Sequence, residues 1–331
     1  MPEISRRKEP VPPLNIQVDS VAMPKPLDPE QREMQDVLLI NPDAMVFGVF
    51  DGMGGYTQGR EAAMILSESV GAKFRDRRIT SYGFFRLFAM SAWTKAQKRL
   101  SPLKESADTT GVVLKIISTS RGAQAMTAWT GDSRCIAVEQ DEYGRVKIMP
   151  LTEDENLAMD VFPRHDAFRH FINDALDNIN TEEELWQRNN QFRSMLAAHD
   201  NADEIIEAHE RLNRNRDALL HNEIMTLSDF WIMRNLTFGI SSNTRARRHM
   251  PRTQRYLIQP HTVGFIVSSD CLHDNLTTPE IEEVLRSSMD DPQFPDAAAW
   301  MLSEAAGKRS TQEGHFRAKP DDCAIVVVSI K

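Results

Sequence analysis

The chain has 331 residues, with 39 basic against 48 acidic side chains and a formal charge of −9, which argues against nucleic acid as a main partner. Its 41% hydrophobic and 26% charged residues are the composition of an ordinary globular protein and exclude global disorder. Three cysteines without a CxxC pair exclude a disulfide framework, and no run approaches the roughly 18 apolar residues of a membrane span, so a soluble, cytoplasmic protein is expected.

Residues 1–30 are dense in proline (Pro2, Pro10, Pro12, Pro13, Pro24, Pro26, Pro29), which reads as a poorly ordered tail or an edge segment. From Asp36 the texture changes: VLLI at 37–40 and MVFGVF at 45–50, separated by an Asn-Pro-Asp turn signal, predict a hairpin. Apolar residues recurring every three or four positions predict helices over 57–75 and 81–100. Strands are predicted again at 109–118, 124–130 and 134–139 as an antiparallel meander, with Gly131-Asp132-Ser133 as the tight break between the last two.

Between about 153 and 234 the sequence becomes helical and heavily charged. Strands at 255–259 and 263–268, helices at 279–289 and 296–307, and a last strand CAIVVVSI complete the chain. Two sets of strands with helices before, between and after them imply an α+β layered sandwich with one helical insertion.

Asp51-Gly52-Met53-Gly54-Gly55 stands directly after an apolar strand and before a helix. Glycines there let backbone carbonyls and amides approach an ion or anion beside the carboxylate, although a glycine-rich helix-capping turn reads the same way. Further aspartates end or open core strands: Asp132 in GDSR, Asp270 and Asp274 in SSDCLHD, and the pair Asp321-Asp322. Each alone is an ordinary turn residue. Together they imply hard cations, because converging carboxylates repel and oxygen-only donors suit Mg²⁺ or Mn²⁺. A two-metal hydrolytic centre follows as the natural hypothesis.

The ordered series Gln35-Asp36, VFGVFDGMGG (46–55), TTGVVL (109–114), TGDSR (130–134), LTEDEN (151–156), RNLTFG (234–239), VSSDCLHD (267–274) and PDDCAIVVV (320–328) resembles the metal-dependent type 2C serine/threonine protein phosphatases, the PPM family, in their bacterial form. The resemblance runs over residues 31–331. It implies an αββα sandwich of two antiparallel sheets and two Mn²⁺ or Mg²⁺ ions with a third, weaker one. By the same resemblance Asp51 bridges the two metals, the Gly52 carbonyl binds one of them, Asp270 and Asp322 hold the other and Asp36 supports them. Asp132 and Asp274 match the third-metal positions. The implied activity is hydrolysis of phosphoserine and phosphothreonine in phosphorylated protein substrates, by attack of a hydroxide held on the dinuclear centre.

Three departures qualify that pattern. The arginine that grips substrate phosphate in the family falls at Gln31, leaving Arg32 one residue off register; Arg245, Arg247, Arg248 and Arg252 are another source. Cys271 and Cys323 replace the usual glycine and asparagine, and with Cys135 they place every cysteine beside the site, where either redox sensitivity or plain core packing is expected. Residues 157–233 form an enlarged helical flap that reads as a lid or docking platform for a partner, or as a solvated ornament; its histidines lack HExxH spacing. The alternatives to an active phosphatase are a catalytically weak phosphoprotein-binding regulator and a small-molecule phosphohydrolase on the same scaffold.

Overall fold

The computed structural model describes residues 14–25, 34–53, 58–76, 78–103, 107–119, 122–155, 166–197, 240–241, 250–289 and 296–330. Two five-stranded antiparallel sheets lie face to face. The first has the order β1-β13-β12-β8-β9, from Ile16–Met23, Cys323–Ile330, Thr262–Ser268, Arg134–Gln140 and Val146–Pro150. The second has the order β11-β7-β6-β3-β2, from Arg252–Leu257, Gly122–Thr130, Gly111–Thr119, Val46–Phe50 and Val37–Asn41. A small third sheet joins β10 (Ile240–Ser241), β5 (Asp108–Thr109) and β4 (Gly52–Met53).

The strand alternation sorts the core into three layers. Phe47, Val49, Val112 and Leu114 of one sheet meet Ala137, Phe265, Val267 and Val326 of the other between the sheets. Helices α1 (Gln58–Phe74) and α2 (Tyr82–Leu100) cover the outer face of the second sheet through Leu66, Val70, Phe85 and Trp93. On the first sheet, α5 (Asp270–Asn275), α6 (Thr278–Met289) and α7 (Asp296–Ser310) bury Leu272, Leu285 and Leu302. The expected αββα sandwich is therefore the fold. Among the described residues no helix is long and apolar enough to cross a membrane.

The β2–β3 hairpin forms at the expected place. Asn41 caps a single 3₁₀ turn by accepting a bond from the Ala44 amide at 3.0 Å, and Met45 closes it in the left-handed region at φ 51°. One expectation is narrowed and one needs correction. Of the two readings of the proline-rich start, residues 14–25 follow the edge segment rather than the poorly ordered tail: they contain strand β1, at the edge of the first sheet, which pairs along its whole length with β13, because residues 14–23 are free of proline and alternate Ile16 and Val18 inward with Val21 and Met23 outward. The meander holds only for β6 and β7. The Gly131-Asp132-Ser133 break hands the chain from the second sheet to the first, so β7 and β8 belong to different layers.

Of the helical insertion, α3 (Asp166–Asn178) and α4 (Glu182–Ala197) are described; residues 156–165 and 198–239, with the RNLTFG motif, lie outside the described residues. The end of α3 is no solvated ornament, since Ala175, Leu176, Ile179 and Leu185 are buried against the body.

Candidate metal centre

The ends of four core strands meet at one end of the sandwich. Strand β3 stops at Phe50 and delivers Asp51, whose carbonyl accepts the Thr110 amide at 2.9 Å and the Thr109 hydroxyl at 2.7 Å. Strand β12 stops at Ser268, opposite Arg134 and Ile325, so Asp132, Asp270 and the Asp321-Asp322 pair arrive together. Ser269 fixes that junction by exchanging bonds with the Ala324 backbone, and its side chain bonds to Asp36.

Gly52 is required by packing. A Cβ there would sit 2.4 Å from the carbonyl carbon and oxygen of Gly59, so the first turn of α1 lies directly on β4. Gly59 is the reciprocal partner and carries no motif of its own. Gly52→Ala is expected to lower the urea midpoint by the equivalent of about 1–3 kcal/mol, since the obstructing atoms are backbone and cannot rotate away. Gly131 is likewise fixed, by φ +94° and by the Thr110 side chain where its Cβ would be.

Asp270 opens α5 and Asp274 follows one turn later, so both carboxylates share a helix face. Between them stands Lys319, whose Nζ is 2.6 Å from one oxygen of each and 3.4 Å from Asp321. Burial alone would lower that ammonium, but Asp270, Asp274 and Asp321 outweigh it and hold it well above its ordinary value.

The carboxylates feel one another strongly. Burial, then Asp36, Asp270 and Asp321, push Asp51 well above the usual carboxylate range, and burial with Asp322, Asp321 and Asp270 does the same to Asp36. Asp132 is raised by burial, Asp270 and Asp154. Burial carries Asp270 to about 7 against the lowering effect of Lys319. One oxygen each of Asp36, Asp132 and Asp270 is buried without a hydrogen-bond partner. Such orphaned anionic oxygens, with no nitrogen or sulfur among them, fit hard divalent cations. Among the described residues no three such groups converge closely enough to enclose an ion as they stand, and Lys319 meets part of the charge.

Asp321 and Asp322 have different partners. Both Asp322 oxygens accept backbone amides, from Lys25 at 2.7 Å and Gln35 at 2.6 Å, so this carboxylate ties the N-terminal strand and the Gln35-Asp36 segment to β13. Asp321 is the member of the pair that bears on Asp51, Asp270 and Lys319.

The surrounding motifs are braces. Arg134 grips Asp154 through two bonds of 2.7 and 2.6 Å and reaches Asp177 of α3 at 2.7 Å. Burial would lower this guanidinium, yet Asp154 and Asp177 keep it well above its ordinary value. Arg252 pairs with Glu153 at 2.7 Å and lies over the Trp129 ring, which gives it a structural duty. Gln31, Arg32, Arg245, Arg247 and Arg248 lie outside the described residues. All three cysteines are buried, Cys135 between the sheets and Cys271 with Cys323 under the outer helices, as the core-packing alternative expects. Burial raises the Cys135 thiol, and contact with Cys323 followed by burial raises Cys271, so the reactive thiolates are suppressed.

Glu155 is held by the Gly131 amide at 3.1 Å, while burial lifts its carboxyl from 4.5 to about 7. Between those values the folded chain holds a proton that the unfolded chain has lost, so this group's contribution falls as pH rises through that window. Glu155→Gln, which keeps the acceptor, is expected to match the wild type near pH 4.5 and exceed it by about 2–3 kcal/mol at pH 8 in urea melts.

No protein-family model and no curated protein sequence matches the chain. Solved structures do match. The catalytic domain of the serine/threonine protein phosphatase PstP of Mycobacterium tuberculosis, in complex with two manganese ions, superposes with a TM-score of 0.58 at 15% identity, over 96% of this chain and 99% of that one. The PPM Ser-Thr phosphatase MsPP from Mycobacterium smegmatis, in complex with cacodylate, gives 0.55 at 15% identity over 95% and 98%. PppA, a regulatory component of the type VI secretion system in Pseudomonas aeruginosa, gives 0.55 at 16% over 96% and 98%. The chain thus has the fold of the bacterial PPM-type serine/threonine phosphatases along nearly its whole length.

Proposed function

We propose that this protein is a metal-dependent phosphoprotein phosphatase acting on phosphoserine and phosphothreonine. The observation that carries the reading is the meeting of Asp36, Asp51, Asp132, Asp270 and Asp321 at one end of the sandwich, three of them with a buried oxygen that no hydrogen bond among the described residues satisfies. The superposition on PstP, solved with two manganese ions, supports a divalent pair at this end.

Asp51, the Gly52 carbonyl, Asp270 and Asp321 would hold the two ions, with Asp36 supporting them. Bound there, the cations would acidify a shared water for in-line attack on phosphorus and neutralise the phosphoryl oxygens. The chain's own part is to hold the donors rigid: Thr109 and Thr110 fix the Asp51 backbone, Ser269 orients Asp36, and α5 sets Asp270. Met53 cannot protonate the departing alkoxide, so that proton comes from water.

The phosphoprotein-binding alternative drew on Gln31, Cys271 and Cys323, and the two thiols are buried in the outer core. Assay of a phosphothreonine peptide and of small phosphate metabolites tests the proposal. Turnover with Mn²⁺ that EDTA abolishes, greater on the peptide, supports it. Tight peptide binding without turnover at saturating Mn²⁺ gives way to the binding module, and turnover of metabolites alone to the small-molecule enzyme.

A further inference from the structure

Resting on that two-metal reading, we infer that Lys319 is a resident cation: its ammonium takes the corner between Asp270 and Asp274, within reach of Asp321, limits the centre to one pair of metal ions, and acts as a positioning residue for Asp270.

The corner gathers buried negative charge. Asp132, Asp270 and Asp274 are each more than nine-tenths buried. Two of them sit one helical turn apart, and like charges so placed in a poorly solvated site repel unless a cation intervenes. Lys319 supplies it with two bonds of 2.6 Å. A lysine ammonium is a compact point charge with three donors, close in character to a small cation, whereas a guanidinium would impose a fork.

The position of Lys319 is built into the chain. Asn275, fully buried at the end of α5, donates to the Lys319 carbonyl at 3.0 Å and accepts from the Lys319 amide at 3.0 Å, so both backbone polar groups of the lysine are clamped to the helix that carries its partners. Pro320 follows and restricts the backbone between Lys319 and Asp321. The ammonium therefore arrives from the same short segment that brings Asp321 and cannot drift from the carboxylates without breaking the Asn275 clamp.

The two oxygens of Asp270 are also divided. Oδ2 takes the Lys319 bond, while Oδ1 is buried without a partner. Holding one oxygen fixes the carboxylate rotamer and leaves the other for a metal ion. Lys319 thus acts on the metal pair through Asp270, without touching substrate.

The test counts bound Mn²⁺ by elemental analysis after dialysis and by calorimetric titration, in the full chain. The wild type is expected to bind two ions per chain, and Asp274→Asn to leave that number unchanged. Lys319→Met is expected to acquire one additional, weaker ion, and to lose it again when combined with Asp274→Asn. Lys319→Arg, which keeps the charge, should remain at two ions with weakened affinity. A third ion in the wild type that Asp274→Asn removes overturns the inference, as does a Lys319→Met variant with the wild-type count. Should Lys319→Met fail to fold, Asp274→Asn alone still decides. A folded wild type that binds no Mn²⁺ overturns the metal-centre reading itself and takes this inference with it; two ions with an unaltered Lys319→Met count defeats the inference only.

Discussion

Peptide turnover by Asp51→Asn and by Asp321→Asn is expected to fall at least about a thousand-fold, equivalent to about 4 kcal/mol of transition-state stabilisation, while Asp322→Asn retains most of it. Asp51 leaves the core at the end of β3 with its carbonyl locked by Thr109 and Thr110, so the backbone that carries its carboxylate is fixed. Asp321 acts electrostatically on Asp51 and Asp270, while Asp36 feels Asp322 ahead of Asp321. Each change to asparagine preserves shape and removes one charge from the set proposed to hold the cations. Asp322 differs because both its oxygens are occupied by amides. An asparagine there can accept only one of them well, and the loss should appear as about 1–3 kcal/mol in urea stability rather than in kcat at saturating Mn²⁺. The reverse pattern, a dead Asp322→Asn of wild-type stability beside an active Asp321→Asn, would return the metal to Asp322.

Which of Asp321 and Asp322 faces the centre is not legible in the sequence, for a reason of strand geometry. Neighbours at a strand start project to opposite sides, and two adjacent aspartates carry the same chemistry, so only the partners decide which faces the centre. Those partners, the amides of Lys25 and Gln35, are almost 300 residues distant and lie in a segment whose prolines suggest a tail. Local patterns otherwise served well: the β2–β3 hairpin, both long N-terminal helices and the last strand follow directly from periodicity and turn residues. The short helix α5 escapes because six residues complete too few turns to display a period, although the four-residue spacing of Asp270 and Asp274 is its trace. Strand β9 escapes because only Ile148 in VKIMP is buried. The transfer of the chain between sheets at Gly131 is a tertiary event, since a tight turn reads alike whether the next strand pairs with the last or leaves it.

The helical insertion and the centre share their supports, and the second large effect is expected there. Arg317 has no exposed surface, and its guanidinium donates to the carbonyls of Leu176 and Ile179 at 2.8 Å and of His273 at 2.5 Å. The first two belong to the final turn of α3 and the residue beyond it, where backbone acceptors have no partner within the helix and where a cation is favoured. The third lies in α5, between Asp270 and Asp274. Burying a guanidinium costs much, and here several carbonyl dipoles compensate, so Arg317→Met would leave those acceptors buried and unsatisfied. A loss of about 3–5 kcal/mol in urea stability is expected, with faster proteolysis within residues 166–197 and weaker Mn²⁺ binding. Arg317→Lys should rescue little, because a single ammonium cannot span both helices as the planar fork does. If Arg317→Met unfolds at the wild-type midpoint but still loses Mn²⁺ affinity, the residue serves α5 alone. If affinity persists while the insertion becomes protease-sensitive, the helices pack beside the centre without supporting it. A joint loss would identify Arg317 as the link through which the docking of α3 and the geometry of Asp270 depend on each other.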